Sequence, residues 1–554
     1  MKPLTDKNFD LLCAECAENN LLGKRKRDSR LEVVEDAIHN LNIKGDAAIL
    51  MPLVVEHLEH QKAAEKAKKP SAAAKPSADT QTGYTQSQRD LLPVETGFDV
   101  AIVTSAQNNT ITTGFEKQLL ELCDDLRASN LTPRLFVMPV YYNKNAFSPA
   151  VEKEEEVFNP AITPYLQLND CWLFEKNACL IASSAAVLPT NKMPVNAAAK
   201  LNSGELITVV ASPKQQYKTL PRLNDQSITK AVTTGSCTAY NYTRSRAGAE
   251  AEKDHKQAAM IVYKCDGGYN VTNVFQGDDG SLNVVLPELE YFYGKLPEAG
   301  KLGDLHCEVH DAAYWQKTVD FLDKIKPSVI AVDDILHFST RSHHNRNSGK
   351  HLYANRHESV ENDLKQVIDQ LSELADLVDT VSITESNHNS ALDNWLDDSS
   401  VNPKQDSHNS KLYYLLNWLV CDTLDQGEHE KNALQIALEN ADLTTLPELP
   451  YNVHFGRMDK PFKPLKFDYS QHGHKGANGS AGNPNQFKDW NLNLITGHTH
   501  SPCIIGSVFT TGVTARPNQG YNRGGASSWD HGHMFEYSNG QVQLITLNPQ
   551  KVVA

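Results

Sequence analysis

The stretch Ser328-Val329-Ile330-Ala331-Val332-Asp333-Asp334 is a short apolar run that ends in two carboxylates. Such a run is typical of a strand that is buried on both faces. Apolar periodicity predicts a helix before it, Ala312–Ile325, and another after it, from about Glu358 to Leu374. A further strand, Val378–Ile383, follows. This alternation predicts an α/β fold with a parallel sheet, whose functional side chains gather where the strands end.

Five polar segments lie at or near the predicted strand ends. They are Gly303-Asp304-Leu305-His306, Asp333-Asp334, Ser386-Asn387-His388-Asn389, Gln471-His472-Gly473-His474 and Gly497-His498-Thr499-His500. Of the 21 histidines, 17 follow residue 300. This concentration favours a role in metal binding or acid–base chemistry. Carboxylate, imidazole and amide ligands together suit two divalent first-row ions, manganese above all.

Two divalent ions held close together suit the hydrolysis of a phosphodiester. Bound metal lowers the pKa of water enough to supply hydroxide near neutral pH, and a second ion stabilises the charge on the attacking and leaving oxygens. One aspartate that reaches both ions would be their shared anion. A histidine that is not a ligand could protonate the departing alkoxide.

The ordered series of these motifs resembles that of the calcineurin-like metallophosphoesterases, and most of all their SbcD-type DNA nucleases, over roughly residues 300–550. The resemblance implies a C-terminal domain with layered α-β-β-α architecture. The ligands that it implies are Asp304, His306 and His500 for a first metal, Asn387, His472 and His498 for a second, and Asp334 as the bridge. His388 matches the non-ligand histidine of the family, which implies a catalytic role in leaving-group departure.

The sequence departs from the family pattern in several places. Asp333 occupies the position of a usual glycine, so either Asp333 or Asp334 could bridge the metals, and we prefer Asp334. His337 replaces a later aspartate of the family, and Ser386-Asn387-His388-Asn389 replaces Gly-Asn-His-Asp/Glu. His474 rivals His472, which we prefer because the family's ligand directly precedes a glycine.

Residues 335–357 contain no carboxylate, although the net charge of the chain is −15. Their cationic residues are Arg341, Arg346, Lys350 and Arg356. Because the segment directly follows the bridging aspartate, we predict that these four residues bind the polyanionic backbone of DNA. A solvated loop is the alternative. The acidic net charge excludes a passive polycation that coats nucleic acid.

A second resemblance covers roughly residues 95–550. It is carried by Ala106-Gln107-Asn108-Asn109-Thr110, Thr233-Thr234-Gly235-Ser236, Leu392-Asp393-Asn394-Trp395-Leu396 and His474-Lys475-Gly476-Ala477-Asn478-Gly479. Together these segments are similar to the pre-early, host-DNA-degrading DNA-transfer proteins of T5-like coliphages. The resemblance implies a manganese-dependent deoxyribonuclease in the cytoplasm of the infected bacterium, which supports phage DNA transfer. DNA and a second pre-early phage protein would be its partners.

Two other functions stay open from the residues alone. A phosphomonoesterase or cyclic-nucleotide phosphodiesterase would use the same metals on a small substrate. A DNA-binding or assembly protein with a mainly structural metal site would rely on residues 1–300 instead. The large part of the chain outside the predicted catalytic region also favours a homo-oligomer.

Composition predicts four regions along the chain. They are a small helical unit at 1–60, a linker at 61–90, an α/β accessory domain at 91–300, and a metallophosphoesterase domain at 301–554 with a helical insertion at about 391–450. Residues 61–90 contain no Ile, Leu, Val, Phe, Met or Trp, and so cannot bury enough surface to fold. The accessory region is strand-rich and ends in a predicted hairpin with its turn at Gly277–Gly280.

The chain carries no predicted membrane span, because its apolar stretches are too short to cross a bilayer. Met1–Asp6 lead into no apolar core, so we predict no secretory signal. Ten dispersed cysteines predict reduced thiols in a cytosol.

Overall fold

A computed structural model of the protein describes residues 5–18, 21, 27–43, 45–68, 85–142, 158–223, 226–341, 348–519, 522 and 524–552. The chain divides into two compact units, Met1–Gln81 and Thr82–Ala554. Helices and strands both contribute, which confirms the α/β class. No helix within the described ranges is long and apolar enough to cross a membrane, and all ten cysteines are free thiols.

The described helices are α1 (Asp6–Glu18), α2 (Arg27–Leu41), α3 (Ala47–Lys68), α4 (Gln86–Asp90), α5 (Phe115–Ala128), α6 (Val195–Leu201), α7 (Arg246–Asp254), α8 (Ala312–Ile325), α9 (Gly349–Ala354), α10 (Val360–Ala375), α11 (Ala391–Leu396), α12 (Ser410–Asp425), α13 (Ala433–Glu439) and α14 (Pro484–Lys488). The described strands are β1 (Val94–Glu95), β2 (Val100–Gln107), β3 (Pro133–Val140), β4 (Cys171–Leu173), β5 (Cys179–Ala182), β6 (Ile207–Val210), β7 (Gln215–Leu220), β8 (Thr229–Thr234), β9 (Ala258–Cys265), β10 (Gly268–Phe275), β11 (Val284–Leu286), β12 (Tyr291–Tyr293), β13 (Ala299–Lys301), β14 (Val329–Val332), β15 (Thr380–Thr384), β16 (Val453–Gly456), β17 (Leu494–Thr496), β18 (Cys503–Ile505), β19 (Val508–Thr510), β20 (His533–Glu536) and β21 (Val542–Ile545).

The first unit contains α1, α2 and α3, whose apolar side chains share one core. Leu12, Val34 and Val54 are fully buried in it. Helix α3 runs into the region predicted as a linker, and α4 occupies the end of that region. Residues 69–84 of the predicted linker lie outside the described residues.

The second unit contains the predicted parallel sheet. It has six strands in the order β16-β15-β14-β13-β20-β21, and β13 to β16 run parallel to one another. Helices α8 and α10 connect its parallel strands, as predicted, and α11, α12 and α13 lie between β15 and β16. The carboxyl ends of β13, β14 and β15 therefore meet at one edge of this sheet.

Residue 300 does not separate two domains, contrary to the predicted boundary. A nine-stranded sheet has the order β1-β4-β5-β6-β8-β7-β18-β19-β17 and so combines strands from both sides of that residue. In it β7 pairs with β18 antiparallel, and Tyr217 lies opposite Ile504. Because backbone hydrogen bonds join the predicted accessory region to the C-terminal region, both belong to one compact unit.

Two large sheets enclose a shared apolar core. Ala331 and Met534 of the six-stranded sheet and Ile504 and Phe509 of the nine-stranded sheet are buried in it. The other face of the six-stranded sheet packs against α8, α10 and the insertion helices, and that of the nine-stranded sheet packs against α6. The core thus fixes the ends of strands from two sheets in one place.

The predicted hairpin around Gly277–Gly280 is wrong. The turn exists, with the Gly280 N–H donating to the Gly277 carbonyl at 2.9 Å, but β10 pairs with β9 and β11 with β12. Side chains of β10 bond to β21 instead, since Asn273 Nδ2 donates to the Val542 carbonyl at 2.8 Å. These contacts to a strand far away in sequence direct β10 away from β11.

Candidate metal centre

The predicted site residues come together where two sheets meet. Asp304 and His306 follow β13, Asp334 follows β14, and Asn387 follows β15 in the six-stranded sheet. His498 follows β17 at the edge of the nine-stranded sheet. The Gly497 N–H donates to the His472 carbonyl at 2.6 Å and so joins the fourth and fifth polar segments.

A first group of four buried side chains presents ligand atoms that all lie within 4.8 Å of one another. Its members are Asp304, His306, Asp334 and His500. His500 Nε2 lies 3.1 Å from Asp304 Oδ2 and 3.0 Å from His306 Nε2. Two carboxylates and two imidazoles in this arrangement could hold a divalent first-row ion.

A second group shares one residue with the first. Its members are Asp334, His472 and His498, again with ligand atoms within 4.8 Å of one another. His472 Nε2 lies 3.3 Å from Asp334 Oδ2 and 3.0 Å from the side-chain oxygen of Asn387. The Asp334 carboxylate therefore lies between two sets of potential ligands.

Asp333 has a different environment from Asp334. Its Oδ2 lies 2.8 Å from Nζ of Lys301 and 3.1 Å from Nδ1 of His472. Asp333 also lies near Asp304 and His472 in a group of potential ligands, but this ion pair already occupies one of its oxygens. Asp333 thus contacts one nitrogen of the His472 ring, and the other nitrogen faces Asp334.

His337 and His388 lie on the other side of His306. The three histidines form a further group of potential ligands, and His337 Nδ1 lies 3.3 Å from His306 Nδ1. The backbone N–H of His388 donates to Asp334 Oδ1 at 3.1 Å. His388 is therefore tied to the carboxylate through its backbone, and its ring is half-buried beside His306.

The buried polar atoms of the centre fit a bound cation. Within the described residues, no hydrogen bond of good geometry reaches Asp304 Oδ1, Asp333 Oδ1, Asp334 Oδ2 or His500 Nδ1, although all four atoms are buried. Buried polar atoms normally have partners, and buried carboxylates need a nearby positive charge. Metal ions at both groups would supply that charge.

Electrostatics favours metal-binding protonation states at Asp334 and His306. At His472 it does the opposite, because burial alone would lower the pKa of the imidazole but Asp334 and Asp333 hold it well above its ordinary value. Burial alone would raise the pKa of Asp334, but His472, His388 and His306 hold it well below its usual range. Burial, together with His388 and His500, lowers the pKa of His306 well below its ordinary value. An ionised carboxylate and a neutral imidazole are the forms that ligate metals.

Comparison with known proteins identifies a relative of the whole chain. Protein A1 of Escherichia phage T5 is 32% identical over an alignment of 559 positions, which covers 97% of each protein. The chain belongs to the phage T5 protein A1 family. The predicted relationship to T5-like phage proteins is thus confirmed. No protein-family model and no solved structure matches the chain, so the resemblance to calcineurin-like metallophosphoesterases stays a prediction.

Four predicted ligands of this A1-family protein adopt the left-handed backbone conformation. They are His306 (φ 43°), Asp334 (φ 41°), His498 (φ 72°) and His500 (φ 55°). Such conformations cost about 1–3 kcal/mol each and concentrate at functional sites. Gly497 leaves room for them, because a Cβ there would lie 2.4 Å from Asp304 Oδ1.

Lys301 is a residue beside the centre of the A1-family chain that the motifs did not indicate. This lysine ends β13 and is completely buried, with its Nζ bonded to Asp333 and to the carbonyls of Tyr469 and Gln471 at 3.0 and 3.2 Å. A signal was available, because a lysine among the apolar and small residues Ala299-Gly300-Lys301-Leu302 is unusual in a buried strand.

His474, the rival of His472, belongs to none of the ligand groups among the described residues. Its ring centroid lies 5.3 Å from that of His472. Burial, and then the charge of His472, lowers the pKa of His474 to about 4. His474 is therefore a neutral neighbour of the groups that the A1-family chain brings together.

Arg341, one of the four predicted DNA contacts, has a partner within the chain. Its guanidinium makes two bonds to Asp406, Nε to Oδ2 at 2.5 Å and Nη2 to Oδ1 at 2.9 Å, and its side chain is only 10% exposed. Arg341 attaches the segment after β14 to the helical insertion. Lys350 and Arg356 are exposed, as a DNA contact requires, and Arg346 lies outside the described residues.

Proposed function

We propose that this A1-family protein is a two-metal-ion phosphodiesterase that cuts DNA. The observation that supports the proposal most is the position of Asp334, which belongs to both groups of potential ligands. A carboxylate shared by two metal sites is what a pair of close cations requires. The same arrangement agrees with the resemblance to calcineurin-like metallophosphoesterases.

Each residue of the centre has a role in this proposal. Asp304, His306 and His500 would hold one cation, Asn387, His472 and His498 would hold the other, and Asp334 would be a ligand in both sets. Bound divalent ions, most suitably Mn²⁺, would supply water of lowered pKa and positive charge for the phosphate. The burial of Asp304, Asp334 and His306 keeps bulk water away from these ligands.

His388 is the residue that we assign to proton transfer. Its Nδ1 lies 3.2 Å from the carbonyl oxygen of His337, which can accept a hydrogen bond from that nitrogen. When Nδ1 donates there, only Nε2 is left to exchange a proton with the substrate. A protonated ring can then give the Nε2 proton to the departing alkoxide, a step worth about 10²–10⁴-fold in rate.

Family membership and motif resemblance together support a role during infection. We infer that the protein degrades host DNA and supports phage DNA transfer in the cytoplasm of the infected bacterium. DNA, a second pre-early phage protein and further copies of the same chain are its proposed partners.

Nicking of supercoiled plasmid by the full-length protein tests the proposal. We expect relaxation with Mn²⁺, none with EDTA, and none by Asp334→Asn. Asparagine keeps the shape of the side chain and tolerates the positive φ of Asp334, so this variant should fold. Asp379→Asn, at an exposed position, is the control and should cut normally.

Hydrolysis of bis(p-nitrophenyl) phosphate separates the alternatives. Cleavage of this compound but not of DNA would indicate a small-substrate phosphoesterase. Failure to cleave either, with Mn²⁺ still bound in calorimetry, would indicate a structural metal site. His388→Ala should bind Mn²⁺ normally and lose turnover, whereas loss of metal binding would make His388 a ligand.

A further inference from the structure

A large cleft lies beside the metal centre and has no role in the chemistry described so far. Its volume is about 1090 Å³. It is lined by parts of β7, α7, α14 and residues 499–507. The cleft thus lies where β18 joins β7, at the junction of two regions remote in sequence.

Cationic side chains dominate the lining of this cleft. They are Lys192, Lys214, Lys218, Arg246, Lys253 and Lys488. The lining contains only three carboxylates, Glu250, Asp254 and Asp489, so positive charges exceed negative ones by three. In a chain of net charge −15, such a local surplus indicates a binding surface for an anion. We call it the cationic cleft.

Two carboxylates of the cationic cleft are each shared by two cations, so other cations of the cleft have no carboxylate partner in the described part of the chain. Asp254 lies 3.4 Å from Nζ of Lys214 and 2.7 Å from Nζ of Lys488. Glu250 is likewise shared by two cations of the cleft. No ion pair within the described residues involves Lys218 or Lys253, and both are exposed. These two lysines can therefore bind an external anion without breaking an internal pair.

The cationic cleft adjoins the metal centre through one short segment. Thr499 and Ser501 line the cleft, whereas His498 and His500 belong to the groups of potential metal ligands. Residues 498 to 501 therefore alternate, with His498 and His500 at the centre and Thr499 and Ser501 at the cleft. A strand bound in the cleft would thus contact residues that directly adjoin the ligands His498 and His500 in the chain.

No aromatic side chain lines the cationic cleft among the described residues, so bases have no ring on which to stack. Its polar lining instead offers lysine, arginine, asparagine, serine and threonine donors, which suit phosphate oxygens. The geometry points to the cationic cleft as the site that binds the phosphodiester backbone of the DNA strand beyond the cleavage point, without regard to sequence. The choice of DNA as the ligand rests on the proposed function.

Binding of a fluorescein-labelled single-stranded oligonucleotide in EDTA tests the cleft without cleavage. We expect the double variant Lys218→Ala/Lys253→Ala to bind more weakly than the wild type. The slope of log affinity against log salt should fall by about 0.7 for each lysine lost. Lys117→Ala/Lys264→Ala removes two exposed lysines outside the cleft and should bind like the wild type.

Hydrolysis of bis(p-nitrophenyl) phosphate keeps this test separate from the proposed function. The double variant should hydrolyse this small substrate normally, because the metal centre is intact. Unchanged DNA affinity and salt slope would overturn the cleft assignment and leave the proposed function standing. Weaker DNA binding by a protein that cleaves nothing would support the cleft and overturn the nuclease. If the lysine changes weaken binding of polyglutamate but not of DNA, the cleft binds an acidic protein instead.

Discussion

Nζ of Lys301 lies 2.8 Å from Oδ2 of Asp333, and both side chains are completely buried. The same oxygen lies 3.1 Å from Nδ1 of His472. Lysine, aspartate and histidine thus form a chain that sets which nitrogen of His472 faces Asp334. The carbonyls of Tyr469 and Gln471 accept the two remaining ammonium protons of Lys301, so the lysine has a partner for each of its donors.

Replacing Lys301 with methionine should destabilise the protein. The change leaves Asp333 buried without its cation, which typically costs about 3–5 kcal/mol. Urea unfolding followed by circular dichroism measures this loss. Lys324→Met removes an exposed ion pair with Glu290 and is the control, with an expected change of less than about 1 kcal/mol. Equal effects of the two variants would contradict the role given to Lys301.

Asp333→Asn and Asp334→Asn should affect metal binding to different extents. Changes to residues that orient a ligand typically cost about 10–100-fold in metal affinity, so we expect that loss for Asp333→Asn. Asp334→Asn should lose more, because it removes a carboxylate from both groups of ligands. Calorimetric titration with Mn²⁺ measures the metal affinity of both variants. A larger loss at Asp333 would identify it as the bridge.

Gly497→Ala should impair the centre without unfolding the protein. The new Cβ would lie 2.4 Å from Asp304 Oδ1 and 2.8 Å from Asp333 Oδ2, so both carboxylates must move. A displacement of about 1 Å at such a site can cost 10²-fold in rate. Plasmid nicking measures the rate. Gly525→Ala is the matched control, because its Cβ would meet no atom within 4 Å, and normal nicking by both variants would contradict the prediction.

Arg341→Ala should reduce stability and leave DNA binding unchanged. The guanidinium is engaged by Asp406 at 2.5 and 2.9 Å, and hydrogen bonds to charged groups are worth about 1.5–3 kcal/mol. A double-mutant cycle with Asp406→Ala measures the coupling in urea unfolding. Arg341→Ala could instead lower the slope of log DNA affinity against log salt and leave the stability unaltered. That result would show that Arg341 binds DNA.

His533 should make the protein less stable in acid. Burial, reinforced by His531, lowers its pKa from 6.5 to about 3. Between these values the unfolded chain binds the proton and the folded protein does not, so stability falls as the pH falls, by at most about 1.4 kcal/mol per pH unit for one group.

Unfolding of His533→Asn at several pH values tests this contribution. Asparagine can still accept the Gly303 N–H that now reaches His533 Nδ1 at 3.0 Å. The variant should lose less stability on acidification than the wild type. Identical pH profiles would show that His533 contributes nothing to the acid sensitivity.

The sequence predicted the elements whose signal is local. The apolar run 328–332 gives β14, the periodicity of α8 and α10 matches their bounds closely, and the polar motifs lie past the strands as expected. Contacts between remote residues left no such signal. Arg341 and Asp406 are 65 positions apart, and neither residue alone indicates an ion pair. The positive φ of His306 and Asp334 was equally hidden, because only a few per cent of non-glycine residues adopt it and the surrounding structure decides which of them do.

The pairing of β7 with β18 constrains how the chain is made. Leu220 ends β7 and Cys503 begins β18, 283 positions later. A ribosome that adds about 5–20 residues per second needs roughly 15–60 s to cover that distance. Throughout this interval one edge of β7 has no strand to pair with, and exposed edges invite association with other chains. The nine-stranded sheet and the histidines at positions 498 and 500 are therefore completed at nearly the same time, so a nascent chain has no assembled centre until residue 500 has been made.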